Sequence, residues 1–249
     1  MQMNPAFPPQ SGSPLGRARE PSPIRAVTFD VYSALFDTIS GLRAALSALL
    51  RARGLALDPE GAAATWRQRH MTYLLVANSL DQEPATNRRA LEASAQQTLH
   101  ALTPPLTTVE LDRLVSAWED LPPHPETVRV LAEVRRRSLI LATLSNGDRD
   151  MLAALLHHLP VAFDHVVSTE GGKFKPHPSV YAAALRILGV RREELLHVAG
   201  SATDAAGATA FGLQTVWVNR THDTVHDPRF APAHVVSDLT GVLNILPHA

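Results

Sequence analysis

The chain has 249 residues, enough to bury a full core as one large domain or two small ones. Its 45% hydrophobic and 19% charged content is that of an ordinary globular protein, and a net charge of -1 gives no bulk attraction to nucleic acid or to an anionic membrane. The absence of cysteine excludes disulfides, thiolate metal sites and a cysteine nucleophile.

Residues 1–23 (MQMNPAFPPQSGSPLGRAREPSP) are rich in Pro, Gly and Ser and are expected to form a disordered tail, because they cannot bury enough apolar surface to offset ordering. They lack the apolar stretch of a secretory signal, and no run in the chain approaches the roughly 18 apolar residues of a membrane span, so a cytoplasmic protein is expected. IRAVTFDVY, residues 24–32, reads as a strand buried on both faces. Leu42, Leu46, Leu49 and Leu50 then share one helix face before Gly54. From about residue 55 to 122 the chain is rich in Ala, Gln, Arg and Leu with little strand patterning. Asp58-Pro59-Glu60, Asp81 to Pro84 and Thr103-Pro104-Pro105 break it into helices. Beyond Pro125 the pattern alternates: helix 126–136, strand 139–144, helix 148–157, strand 165–168, helix 178–188, strand 195–199, helix 204–211, strands 215–219 and 234–236, and a terminal helix. That order predicts parallel βαβ units, so an α/β core is interrupted after its first strand by an all-helical insert.

Ligands of a parallel α/β sheet bind outside the carboxyl ends of its strands. The polar residues expected there are Asp30, Tyr32 and Ser33, then Ser145, Asn146 and Gly147, then Lys173 and Lys175, and finally Ser201, Thr203 and Asp204. Two carboxylates, a hydroxyl–amide pair and an ammonium on one rim can support covalent catalysis. Lys175, which precedes Pro176, is preferred to Lys173. Plainer readings stand beside these. Asp204 can be a helix N-cap, Ser145 and Asn146 can close a turn, Tyr181 can be core packing, and Arg67 can be an exposed helix residue. The histidines are scattered, with no pair at metal-ligand spacing near a strand end, and no metal or other cofactor is expected.

FDVYSALFD, LSNGD, KFKPHPSVY and VAGSATDAAGATAFG resemble, in that order, the four motifs of the haloacid dehalogenase superfamily, over roughly residues 24–245. Within it the chain looks most like the type II (S)-2-haloacid dehalogenases. The resemblance implies an α/β fold, a Rossmann-like parallel sheet core at 24–43 and 124–249 with an inserted helical cap domain at 44–123. It implies a hydrolase in which the Asp30 carboxylate displaces halide from C2 of a short haloacid, forming an ester that water then hydrolyses. In that scheme Lys175 holds Asp30 ionised, Asp204 orients Lys175 or the water, and Arg67, in the WRQ of the insert, faces the halide or substrate carboxylate. Tyr32, Ser145, Asn146, Tyr181 and Ser201 would meet substrate, and Tyr73 follows Arg67 at the family spacing. The partner would be a small anionic molecule, with no nucleic acid or membrane involved, and the assembly a homodimer.

Phosphatases of the superfamily carry a second Asp where Tyr32 stands and another where Gly200 stands, which leaves Mg²⁺ short of oxygen ligands here. A departing halide needs no proton, so a dehalogenase tolerates that loss. Ala34, Ala199 and Ser201 depart from the Thr, Ser and Asn of the dehalogenases and weaken the support for the water step. A hydrolase with a non-halogenated substrate, a phosphatase-like member and a binding protein on the same fold are therefore the alternatives.

Overall fold

Six strands form one parallel sheet in the order β3-β2-β1-β4-β5-β6. They are β1 Ala26–Phe29, β2 Ile140–Ser145, β3 His165–Ser168, β4 Leu195–Ala199, β5 Gln214–Val218 and β6 His234–Val236. The structure, a computed structural model, describes residues 24–80 and 85–247. The expected tail at 1–23 and the expected break at Asp81 to Pro84 lie outside the described residues.

Alternation along the central strands sends side chains to two different cores. Val27 and Phe29 of β1 pack with Leu196 and Val198 of β4 against Val130, Leu131 and Val134 of α5 (Thr127–Arg136) and Met151, Leu152 and Leu155 of α6 (Arg149–Leu156). Ala26, Ala142, Leu144 and Leu195 face the other way, onto Val180, Tyr181, Ala184 and Leu188 of α7 (Pro178–Leu188) and Ala208 of α8 (Ala202–Phe211). Burial on both sides is why these strands read as near-continuous apolar runs. Helix α7 starts with Pro178 in its first turn and stops at Gly189, whose φ of 62° suits a residue without Cβ.

Between β1 and α5 the described residues form helices and no strand: α1 Thr38–Ala52, α2 Pro59–Leu80, α3 Asn87–Thr98 and α4 Thr108–Ser116. Leu42, Leu46 and Leu50 of α1 are buried, and Leu49 is half-buried at the edge of that face. Helix α1 runs unbroken through residue 44, where the sequence division between core and insert falls.

Two elements differ from expectation. The first strand ends at Phe29, and Val31–Leu35 forms one wide π-type turn closed by Phe36 N–H donating to Val31 O at 3.2 Å. Apolar content alone cannot separate a buried strand from a buried turn, and this turn is buried at Val31, Tyr32, Ala34 and Leu35. The terminal helix is only a 3₁₀ segment, Leu239–Asn244.

Candidate active site

Asp30 leaves β1 where the strand order reverses, with β2 on one side and β4 on the other. Its N–H donates to Val198 O at 2.9 Å, and its extended backbone (φ -61°, ψ 136°) continues the strand for one more residue. The wide turn then carries the chain away, leaving the carboxylate at the rim.

Lys175 arrives from the loop between β3 and α7. Its Nζ donates to Asp30 Oδ1 at 2.9 Å, Asp204 Oδ2 at 2.7 Å and Leu144 O at 2.7 Å, which uses all three ammonium hydrogens. Burial acts to lower this lysine, but Asp204 and Asp30 outweigh it and hold it above its ordinary range. Lys173 instead donates to Asn78 O at 3.1 Å.

Asp204 sits in the first turn of α8 but does not cap it. Ser201 does, its hydroxyl accepting from Asp204 N–H at 3.3 Å. The Asp204 carboxylate turns inward, taking Lys175 and His197 Nε2 (3.0 Å) on Oδ2 and the Tyr181 hydroxyl (2.9 Å) on Oδ1. Burial pushes its pKa up, but Lys175 and the His197 hydrogen bond bring it well below the usual carboxylate range.

These groups border a cavity of about 20 Å³, room for one or two waters. Asp30, Asn146, Lys175, Ser201 and Asp204 line it from the sheet, Tyr32 from the wide turn, and Arg67, His70, Met71 and Leu74 from α2. The last four recur at helical spacing, so one face of α2 forms a wall opposite the rim. Arg67 Nη2 donates to Ser33 Oγ at 3.1 Å, and its Nη1 lies 3.4 Å from His70 Nδ1. Burial lowers Arg67 from its ordinary range, opposed by the Asp30 charge. Burial, then the Arg67 charge, push His70 down to about 3, so its ring is neutral. Burial, then the Asp148 carboxylate, push the Tyr32 phenol far up, so it keeps its proton; among the described residues its hydroxyl has no hydrogen-bond partner. The cavity adjoins a groove of about 680 Å³ that shares Arg67, Met71, Ser201 and Thr203 with it.

Three expected positions are not at the cavity. Ser145 is fully buried and accepts from Gly147 N–H at 3.4 Å; strand alternation puts it on the Leu141 face, away from Lys175. Tyr181 is fully buried behind Asp204 and reaches it rather than the cavity. Tyr73 faces a separate groove between α2 and α3. Three residues were missed. His197 and His70 look like scattered histidines in sequence, and a His inside an apolar strand run is the only local hint of the first. Asp148, in LSNGD, accepts from Asn87 N–H and Arg88 N–H at 2.8 Å each, holding the first turn of α3 against the sheet rim.

A doubly covered parallel sheet with a carboxylate, an ammonium and a second carboxylate at its switch point is the frame of a hydrolase class. The model for haloacid dehalogenase-like hydrolases matches residues 24–212, and the chain belongs to that family. It is 32% identical over 221 residues to (S)-2-haloacid dehalogenase H-109 of Pseudomonas putida, covering 87% of this chain and 95% of that one. It is 30% identical over 207 residues to haloacetate dehalogenase H-2 of Moraxella, covering 79% and 86%. Among solved structures, the L-2-haloacid dehalogenase of Xanthobacter autotrophicus with chloropropionic acid covalently bound superposes with a TM-score of 0.75 at 27% identity, covering 89% of this chain and 98% of that one. The chain is accordingly an enzyme of the hydrolase class. Among the described residues no helix is long and apolar enough to cross a membrane.

Proposed function

We propose that this enzyme is an (S)-2-haloacid dehalogenase working through an aspartyl ester. The observation that carries the reading is the line of charge across the cavity: Asp30 pinned by Lys175 on one wall, Arg67 on the other. An Asp30 oxygen attacks C2, the carbon–halogen bond breaks, and the halide leaves with the electron pair toward Arg67. An always-charged guanidinium suits a departing anion or a substrate carboxylate. Water then attacks the ester carbonyl, Lys175 stabilises the developing oxyanion, and the acyl–oxygen bond breaks; one water proton passes to the departing hydroxy-acid oxygen and the other to solvent, which restores the Asp30 carboxylate. In this reading 24–43 and 124–249 are the catalytic core and 44–123 is a cap whose α2 wall closes over substrate. The enzyme would be cytoplasmic and homodimeric, as the cysteine-free sequence and the resemblance respectively support.

The residues do not fit a Mg²⁺ site. The Lys175 ammonium already bridges the two carboxylates. A carboxylate at position 200 is also sterically blocked, since a Cβ there would stand 2.4 Å from Ala34 N and 2.6 Å from Ser33 C. Tyr32 replaces the acid that would protonate an alkoxide, so a phosphatase is disfavoured. A second reading, a related hydrolase with another electrophile, is favoured by Ala34 and Ala199, which are fully buried and bring no donor, and by Ser201, whose oxygen serves as a helix cap.

A halide-release panel of 2-haloacids, without added metal, tests the proposal. (S)-2-chloropropionate should yield halide and the (R)-hydroxy acid. Asp30→Asn should abolish release, and mass spectrometry should find the substrate ester on Asp30. No halide from any member of the panel sinks it; an Asp30 ester formed only from a non-halogenated substrate selects the second reading.

A further inference from the structure

We propose that His197 is a positioning residue for this site: it holds Asp204 from behind, and Asp204 in turn keeps Lys175 on Asp30. The role rests on the reading of Asp30 as nucleophile.

His197 lies on β4 directly opposite Thr28 of β1, and both side chains are fully buried. A strand position there asks for an aliphatic residue, as its neighbours Leu195 and Leu196 are. Burying an imidazole instead costs free energy unless both nitrogens are bonded. Both are: Nδ1 lies 2.9 Å from Thr28 Oγ1 and Nε2 lies 3.0 Å from Asp204 Oδ2. An ionised carboxylate only accepts, so the hydrogen is assigned to Nε2, and the Thr28 hydroxyl donates to Nδ1.

A merely satisfied core histidine needs any acceptor. This one shares a single oxygen with the Lys175 ammonium, which donates to Asp204 Oδ2 from 2.7 Å. Tyr181 takes the other oxygen, with its ring edge-on to His197 at 6.0 Å between centroids. The carboxylate therefore cannot rotate without breaking a bond at each end. Take His197 away and Oδ2 keeps only Lys175; Asp204 can then turn and draw the ammonium off Asp30, 2.9 Å from it. The three donors have a second consequence. A carboxylate that already accepts from a lysine, an imidazole and a phenol is a weak base, so Asp204 clamps Lys175 rather than taking a proton from water.

His197 does not line the cavity. Its loss should thus lower turnover and leave substrate capture alone. In the full chain, His197→Phe should lower kcat for halide release by roughly 10- to 150-fold, the range for one hydrogen bond to a charged group, with KM changed less than about twofold. His197→Gln, whose amide N–H₂ can reach the same oxygen, should recover most of the loss. Nitrogen-15 NMR of the wild-type ring should show the Nε2–H tautomer, with that signal displaced in Asp204→Asn. An unchanged kcat in a folded His197→Phe, a loss that His197→Gln does not recover, or an Nδ1–H ring overturns the proposal. If His197→Phe does not fold, His197→Gln and the ring spectrum decide. A wild-type protein that releases no halide instead overturns the reading of function, and the ring spectrum, which needs no substrate, still settles the tautomer on which His197 depends.

Discussion

On the sheet side of the cavity, Lys175 makes three hydrogen bonds of 2.7–2.9 Å, and Asp204 accepts from three side chains. On the helix side, Arg67 makes one ordinary bond, to Ser33 at 3.1 Å, and a longer approach to His70 at 3.4 Å. The sheet wall is saturated and rigid, because each charge on it has its counter-charge in contact. The α2 wall keeps donors in reserve and sits on a helix tied to the core through a few points, such as Arg67 to Ser33 and Asn78 to the Phe174 backbone. The proposed aspartyl-ester chemistry, which needs a carboxylate held still while substrate enters, gains from this division: preorganised charge on one side, uncommitted charge on the other.

The contrast predicts different failures on the two walls. The largest is on the sheet side. Lys175→Met leaves Asp30 and Asp204 buried beside each other without a cation, and unfolding in urea should show a loss of about 3–5 kcal/mol. A loss near zero would break the comparison, for it would mean the rim charges are not locked. Next comes His70 on α2, held down to about 3 against an ordinary 6.5. Between those values the unfolded chain binds a proton that the folded chain refuses. Stability is therefore full above pH ~6.5 and falls as pH drops toward ~3, at up to about 1.4 kcal/mol per unit. His70→Gln should flatten that slope; a slope unchanged by the substitution would place its origin on the other wall. Third, Arg67→Ala should raise KM for an anionic 2-haloacid by roughly 10- to 150-fold, with thermal stability little changed. A stability loss as large as that of Lys175→Met would erase the difference between the walls. Smallest, Asp148→Ala removes a charged acceptor from the start of α3 and should cost about 1 kcal/mol, seen as faster hydrogen exchange at the Asn87 and Arg88 amides.

The alternating strands and helices beyond Pro125 were legible because each strand is buried on both faces and each helix has an apolar face of its own. Helix α7 shows this twice over, with Pro178 in its first turn and Gly189 just past its end. The sheet-side groups were legible for a related reason: Asp30, Asn146, Lys175 and Asp204 each follow a strand, and a parallel sheet brings strand ends to one rim. Positions that depend on which way a side chain points were not. Ser145 and Asn146 are adjacent in sequence, yet only Asn146 lines the cavity, because the pleat turns the serine to the other face. Tyr181 was expected at substrate and lies one layer deeper, on Asp204.

The sequence by itself determined the order of elements, the parallel sheet and the charged rim at its switch point, since these follow from local periodicity and chain order. Tertiary structure alone decided which partners each charge takes. It set His197 beneath Asp204 across 7 residues of chain, Asp148 against α3 across 60 residues, and Arg67 opposite Asp30. Those contacts are short in space and specified by no local pattern, because register, pleat and helix packing place them together only once the whole sheet has formed.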